Sequence, residues 1–318
     1  MKVITFKDIS DLKIQPKLYY EWVSDMILHK KKSQLPPKIS MKMSEGQFCN
    51  IMPSIISTEQ SGNIGGVKIV NRYPNRNPSL DSQIILMNMD TGDFLSIMDG
   101  NIITAMRTGA VAVHSINLFA KKDFKKISIM GLGNTARATL MILESVFPDR
   151  EFDIKILKYK NQAEMFIKRF EKYKNLHFTV VDDGPSLISD SDVVISCVTY
   201  FAEDFCEDKY FNEGVLLVPV HTRGFANCDL FFDKIYGDDF NHIKDFKNFS
   251  KFKSFCEVSD VVNGISIGRE NDKERILAYN IGVSIHDINF AAHIYQLLKN
   301  KSGLKEIDME VPQKKMWV

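Results

Sequence analysis

The chain lacks several things, and each absence closes off a class of function. It has only five cysteines in 318 residues, Cys49, Cys197, Cys206, Cys228 and Cys256. They form no CxxC pair and have no partnering histidine spacing, in a chain large enough to build a core without covalent staples. Reduced thiols in a cytoplasm are expected, and no metal site. Neither sign of charge is in excess: 41 Lys plus Arg face 40 Asp plus Glu, for a net +1. No global field draws nucleic acid or an anionic membrane. Long uncharged apolar runs are missing too. VVISCVTYFA and GVLLVPV reach only roughly half of the ~18 residues that span a bilayer, and the opening MKVITFKDIS has no apolar secretory core. The expectation is a soluble, unsecreted, cytoplasmic protein whose partner is a small molecule.

At 318 residues the chain exceeds one typical domain, which predicts two. Apolar residues from Leu18 to Lys31 fall at helical spacing, and Pro36-Pro37 then stops any helix ahead of the extended KISMKM. QFCNIMPSI and NIGGVKIV read as strands. In QIILMNMDTGDFLSIM, Asp90, Thr91 and Gly92 between two apolar runs signal a hairpin. Residues 100 to 120 read as a largely buried helix. The rhythm then becomes strand and helix in alternation: KKISIM, a helix over 134–146, DIKILKY, a helix over 161–174, FTVV, DVVISCV and GVLLVPV. Continuous apolar strands in that order imply a parallel sheet covered on both faces. The fold class is α/β, a Rossmann-type doubly wound parallel sheet plus a mixed α+β domain. One segment, DDFNHIKDFKNFSKFKSF, places Phe246, Phe249, Phe252 and Phe255 every third residue among lysines. A basic aromatic surface for nucleic acid is one reading; phenylalanines packed on the sheet is the favoured one.

The motif that carries chemistry is GLGNTA at 131–136. By itself G-x-G-x-x-A serves equally a plain tight turn or a dinucleotide cradle. Its setting between a strand and a helix favours the cradle. Gly131 makes the turn, Gly133 admits backbone to a pyrophosphate, Asn134 and Thr135 open the helix, and Ala136 allows close packing. Where an acid would accept from the ribose, roughly twenty positions on, the chain has ILKYKN. Lys158 and Lys160 there favour NADP over NAD, since a carboxylate would repel the 2′-phosphate and ammonium groups attract it. The plain alternative is a solvated strand end.

Four ordered stretches, GGVKIV at 65–70, MRTGAVAV at 106–113, GLGNTA, and NIGVSIHDI at 280–288, resemble the ornithine cyclodeaminase/mu-crystallin family. The resemblance implies a substrate-binding and dimerisation domain from residues 1–115 with 291–318, a dinucleotide-binding domain over 116–290, and a homodimer. It also implies that Lys68 and Arg107 hold the substrate α-carboxylate, that Lys38 falls where many members have an arginine, and that Gly282 and Val283 pass near the nicotinamide. Thr199 follows the third relevant strand. Arg107 can grip a carboxylate through two parallel hydrogen bonds, with Lys68 as point charge or proton donor.

The family's cyclodeaminases carry an aspartate after the strand that reads GVLLVPV here. This chain has Arg223 in its place, which repels an ammonium and welcomes a second carboxylate. His221, two residues earlier, is a candidate acid–base group, against the plainer reading of a structural histidine. His286 and Asp287 are candidates of the same kind. The expected activity is an NAD(P)-dependent oxidoreductase acting at the C–N bond of an α-amino acid, imine or opine-type substrate. A cyclodeaminase-type lyase and a non-catalytic ligand-binding protein are the alternatives.

Overall fold

The computed structural model describes residues 1–44, 46–58, 62–198, 205–220 and 230–308. Along the chain lie β1 (Lys2–Ile4), α1 (Phe6–Asp11), α2 (Pro16–Leu28), β2 (Ile39–Lys42), β3 (Phe48–Thr58), β4 (Gly62–Arg72), β5 (Leu80–Asn88), β6 (Phe94–Asp99) and α3 (Asn101–Phe119). There follow β7 (Lys126–Met130), α4 (Asn134–Val146), β8 (Phe152–Leu157), α5 (Gln162–Phe170), β9 (Leu176–Val181), α6 (Gly184–Ile188), β10 (Val193–Ser196) and β11 (Leu216–Pro219). The last are β12 (Lys234–Gly237), α7 (Phe240–Ile243), β13 (Phe255–Glu257), α8 (Val258–Val262), β14 (Ile276–Tyr279), α9 (Ser284–Leu298) and β15 (Lys305–Glu306). They form two compact units: residues 1–13, 32–104 and from Ser284 onward, and residues 14–31 with 105–283.

The first unit is a seven-stranded sheet in the order β15-β1-β6-β5-β4-β3-β2. Its strands pair antiparallel except β1 with β6. The β5–β6 turn places Gly92 at φ +82°, a conformation that costs a side chain dearly and glycine nothing. Helix α9 lies on β3, β4 and β5. A Cβ on Gly66 would stand 2.3 Å from the Ile85 carbonyl oxygen of β5 and 2.8 Å from Ile288 Cδ1 of α9, so this point of β4 is restricted to bare backbone.

The second unit is an eight-stranded sheet ordered β13-β12-β14-β11-β10-β7-β8-β9. All its pairings are parallel. Every residue of β10, β11 and β14 is buried, as a sheet covered on both faces requires. The strand order runs outward from β7 in both directions, so β7 and β10 flank the switch point where ligands of such sheets bind. α2 belongs to this unit although it falls within the first 115 residues, because it packs on α4 and α8. Phe246, Phe249, Phe252 and Phe255 pack against the core that includes Leu217, Ile235 and Leu277. Phe246 meets Tyr279 edge-on at 5.2 Å, so these rings are spent on the sheet.

Helix α3, at 19 residues, is long and apolar enough to cross a bilayer, but most of it is buried within the protein. Its Gly109 faces α4: a Cβ there would lie 2.6 Å from the Thr139 backbone nitrogen.

Candidate active site

At the end of β7 the chain turns through Gly131, whose φ is +78°. A Cβ on it would meet the Cys197 carbonyl carbon at 2.5 Å and the Val198 nitrogen at 2.7 Å, because the chain leaving β10 passes directly alongside. Only glycine fits. Gly133 is a different case. It is the N-cap residue of α4 at φ −82°, ψ −160°, a backbone any residue adopts, and a Cβ on it would meet nothing within 4 Å. The protein's own sterics therefore do not ask for glycine here, and what its absent side chain preserves is open space in front of the helix start. No side chain caps α4 and no acid stands in its first turn, so its first N–H groups and the positive end of its dipole face outward. Gly133 and Asn134 are exposed, Thr135 half-buried and Ala136 fully buried. The chemistry of this cradle fits a pyrophosphate.

Past β8, the Lys158 backbone N–H donates to Val181 O at 2.8 Å, and its ammonium lies 3.3 Å from Asp182 Oδ1. Lys160, at φ +52°, places its ammonium 5.2 Å from the centre of the Tyr159 ring. The strand end thus offers two cations with one carboxylate beside them. Asp182 was not anticipated, because it directly follows the neighbouring strand β9 (Leu176–Val181) rather than β8.

Arg107, on α3, is 6% exposed. Gly282 stands at φ +78°, and a Cβ on it would fall 2.8 Å from Arg107 Nη1 and 3.2 Å from Nη2. The guanidinium therefore lies against the glycine backbone. The Gly282 N–H donates to Asp238 Oδ2 at 3.0 Å. Two residues before, Asn280 donates from its backbone to Pro219 O at 3.0 Å and from its amide to Ser115 Oγ at 3.0 Å, and Val283 is 1% exposed. The segment is fixed at each step. Burial pushes the Asp238 carboxyl above the usual range, opposed by the Gly282 N–H and the charges of Lys30 and Arg107. Next to it, burial acts on Asp239 in the same sense, but the hydrogen bond from His242 and the Lys30 ammonium outweigh it and hold the carboxyl down at about 2. Lys30 Nζ lies 2.9 Å from Asp239 and 2.6 Å from Glu257. Asp238 escaped the sequence reading, although two acids directly after the strand-like KIYG were the available signal.

In the first unit, Lys68 lies mid-strand on β4 and donates from Nζ to Asp287 Oδ1 at 2.8 Å, with the two side chains 1% and 0% exposed. Asp287 is in the first turn of α9, whose start is tied to β3 by a hydrogen bond from Ser284 Oγ to Pro53 O at 2.7 Å. Lys38, half-buried, immediately precedes β2. Thr199, His221 and Arg223 lie outside the described residues.

A glycine turn opening an uncapped helix at the switch point of a doubly wound parallel sheet, joined to a mixed sheet, defines a Rossmann-type α/β protein of two units. The family model that matches residues 6–302 is that of the ornithine cyclodeaminase/mu-crystallin family, and the chain belongs to this family. It is 28% identical over 265 residues to the N-((2S)-2-amino-2-carboxyethyl)-L-glutamate dehydrogenase of Staphylococcus aureus, covering 77% of each chain. Its fold is that of the Thermococcus litoralis Δ1-pyrroline-2-carboxylate reductase solved with NADH and L-proline, at TM-score 0.83 and 22% identity over 96% of this chain and 100% of that one. An archaeal alanine dehydrogenase dimer with bound NAD superposes at TM-score 0.83 and 21% identity, covering 97% and 99%.

Proposed function

We propose that this protein is a nicotinamide-dinucleotide-dependent oxidoreductase that transfers hydride at the C–N bond of an α-amino acid, imine or opine-type substrate. The observation that carries the reading is Gly133, a glycine its own backbone does not need, at the open start of α4. Membership of the family, and relatives named as dehydrogenases and a reductase of amino and imino acids, support the reaction class.

In this reading the turn from Gly131 to Ala136 holds the pyrophosphate, and Lys158 and Lys160 face the adenosine ribose. Gly282, Val283 and Thr199 would line the nicotinamide, which would supply or accept the hydride. Arg107 binds the substrate carboxylate through paired N–H groups, as a planar guanidinium does best. Lys68, whose Nζ donates to Asp287 at 2.8 Å, gives a second positive contact and a proton source, and Lys38 a third cation. His221 moves the proton at the reacting nitrogen, and Arg223 receives a second carboxylate. That last assignment fits a relative whose named substrate carries several carboxylates. Holding both reactants in one orientation supplies most of the rate enhancement. The cofactor is NADP or NAD, with the lysines favouring NADP and Asp182 weakening that preference. The working form in this reading is a cytoplasmic homodimer.

The test is fluorescence titration with NADPH and NADH, followed by oxidation of each with Δ1-pyrroline-2-carboxylate and with 2-oxo acids plus amines, dicarboxylates included. Turnover of at least one imine is expected. Tight cofactor binding with no turnover across the panel would overturn the reading in favour of a binding protein, and ammonia release from ornithine would overturn it in favour of a lyase.

A further inference from the structure

One buried acid touches both the segment carrying Gly282 and the surroundings of Arg107. Asp238 follows β12, is 8% exposed, accepts the Gly282 N–H at 3.0 Å, and stands in the fields of Lys30 and Arg107. We infer that Asp238 is a positioning residue: its carboxylate anchors Gly282 through the backbone and holds the Arg107 guanidinium against that same glycine. The substrate-carboxylate grip and the nicotinamide-side segment are then set by a single side chain. The inference rests on the proposed role of Arg107 in binding substrate.

Three observations support it. Gly282 has no room for a side chain because Arg107 Nη1 would lie 2.8 Å from its Cβ, so the guanidinium and the backbone that Asp238 anchors are already in contact. The charges of Lys30 and Arg107 both act on Asp238, and Lys30 is already shared with Asp239 at 2.9 Å and Glu257 at 2.6 Å. And a carboxylate this buried, pushed upward by its burial, persists as an anion only beside a cation. An arginine has five N–H donors in a rigid fork, so one edge can face Asp238 while another faces a substrate. Fixing the long side chain beforehand removes the ordering cost that the incoming carboxylate would otherwise meet.

Asp238→Asn separates the two jobs, since the amide oxygen still accepts from Gly282 while the charge is gone. With Δ1-pyrroline-2-carboxylate and NADH as probes, KM for the imine is expected to rise at least tenfold, with kcat within about threefold and NADH affinity unchanged. Asp238→Ala, losing both, lowers kcat as well. In an Arg107→Lys background the Asp238→Asn effect on KM should largely vanish, because a residue acting through Arg107 has nothing left to act on. An unchanged or lower KM in Asp238→Asn, or full additivity with Arg107→Lys, overturns the inference. If Arg107→Lys itself leaves KM unchanged, the proposed function fails at Arg107 instead. Crystal structures provide a readout independent of substrate: Arg107 should leave Gly282 in Asp238→Asn, and an unmoved guanidinium overturns the inference.

Discussion

Gly131 and Gly133 sit two residues apart, and a methyl group would do opposite things at them. At Gly131 it meets backbone at 2.5 Å with φ at +78°, so Gly131→Ala should destabilise the fold by about 1–3 kcal/mol. At Gly133 it meets nothing of the protein, so Gly133→Ala should melt like the parent yet bind NADH and NADPH at least tenfold more weakly. Thermal unfolding and fluorescence titration on the same two variants check this. Equal cofactor affinity for Gly133→Ala and parent would remove the cradle reading. Asp182 is the next residue-scale prediction: Asp182→Asn frees Lys158 from its carboxylate 3.3 Å away and should raise the NADPH to NADH affinity ratio several-fold. No change in that ratio would mean the ion pair is a solvated strand end. At the buried Lys68–Asp287 pair, Asp287→Asn removes the carboxylate charge 2.8 Å from the ammonium, and denaturant titration should show a loss of about 3–5 kcal/mol.

Which elements could be read in advance depends on how much chain each had in which to express a period. α3 and α4 are long enough for helical spacing and for a glycine punctuation mark, and the structure ends them at Phe119 and Val146, next to the sequence limits of 120 and 146. β12, β13 and β14 are four, three and four residues long, too short for a period of two to stand out. The acids that follow β12 were missed with it, and Asp238 among them. The phenylalanine segment, with its period of three, folds as a one-turn helix, a 3₁₀ turn and a short strand. Its burial was legible and its shape was not. Lys68 and Arg107 came from motif resemblance, since nothing in composition distinguishes them from other cations. Their neighbours Asp287 and Asp238 lie 219 and 131 positions away in the chain, a separation that only the fold closes. At this scale the contact of α3 with α4 gives a further test. Gly109→Val puts a branched side chain where even a Cβ would lie 2.6 Å from Thr139 N, so it should force α4 outward. Lower stability together with weaker NADH binding is expected, and unchanged binding would show that the helix start does not depend on this packing.

For the whole molecule, acid stability follows from groups buried in one protonation state. Burial pushes the His114 imidazole, on α3, down from 6.5 to about 4, and its ring lies 6.0 Å from that of Tyr20 on α2. Below pH 6.5 the unfolded chain takes up a proton that the native state refuses until about pH 4, so stability falls across that window and the loss then levels off. The depression corresponds to about 3 kcal/mol lost between the two values. Asp239 acts lower on the scale. Its carboxyl is held down at about 2, so the stability it contributes is complete above pH 3.8 and is lost as pH falls toward 2. Acid unfolding should therefore come in two stages, an early decline belonging to His114 and a later one to Asp239. Replacing His114 by leucine removes only the first. Urea titrations at half-unit intervals from pH 7 to 4 should show the parent losing stability relative to His114→Leu as pH falls, with the gap between the two curves widening by about 3 kcal/mol. Parallel curves would mean that the ring is hydrated or already charged in the native protein, and that α3 is less tightly enclosed than its burial indicates.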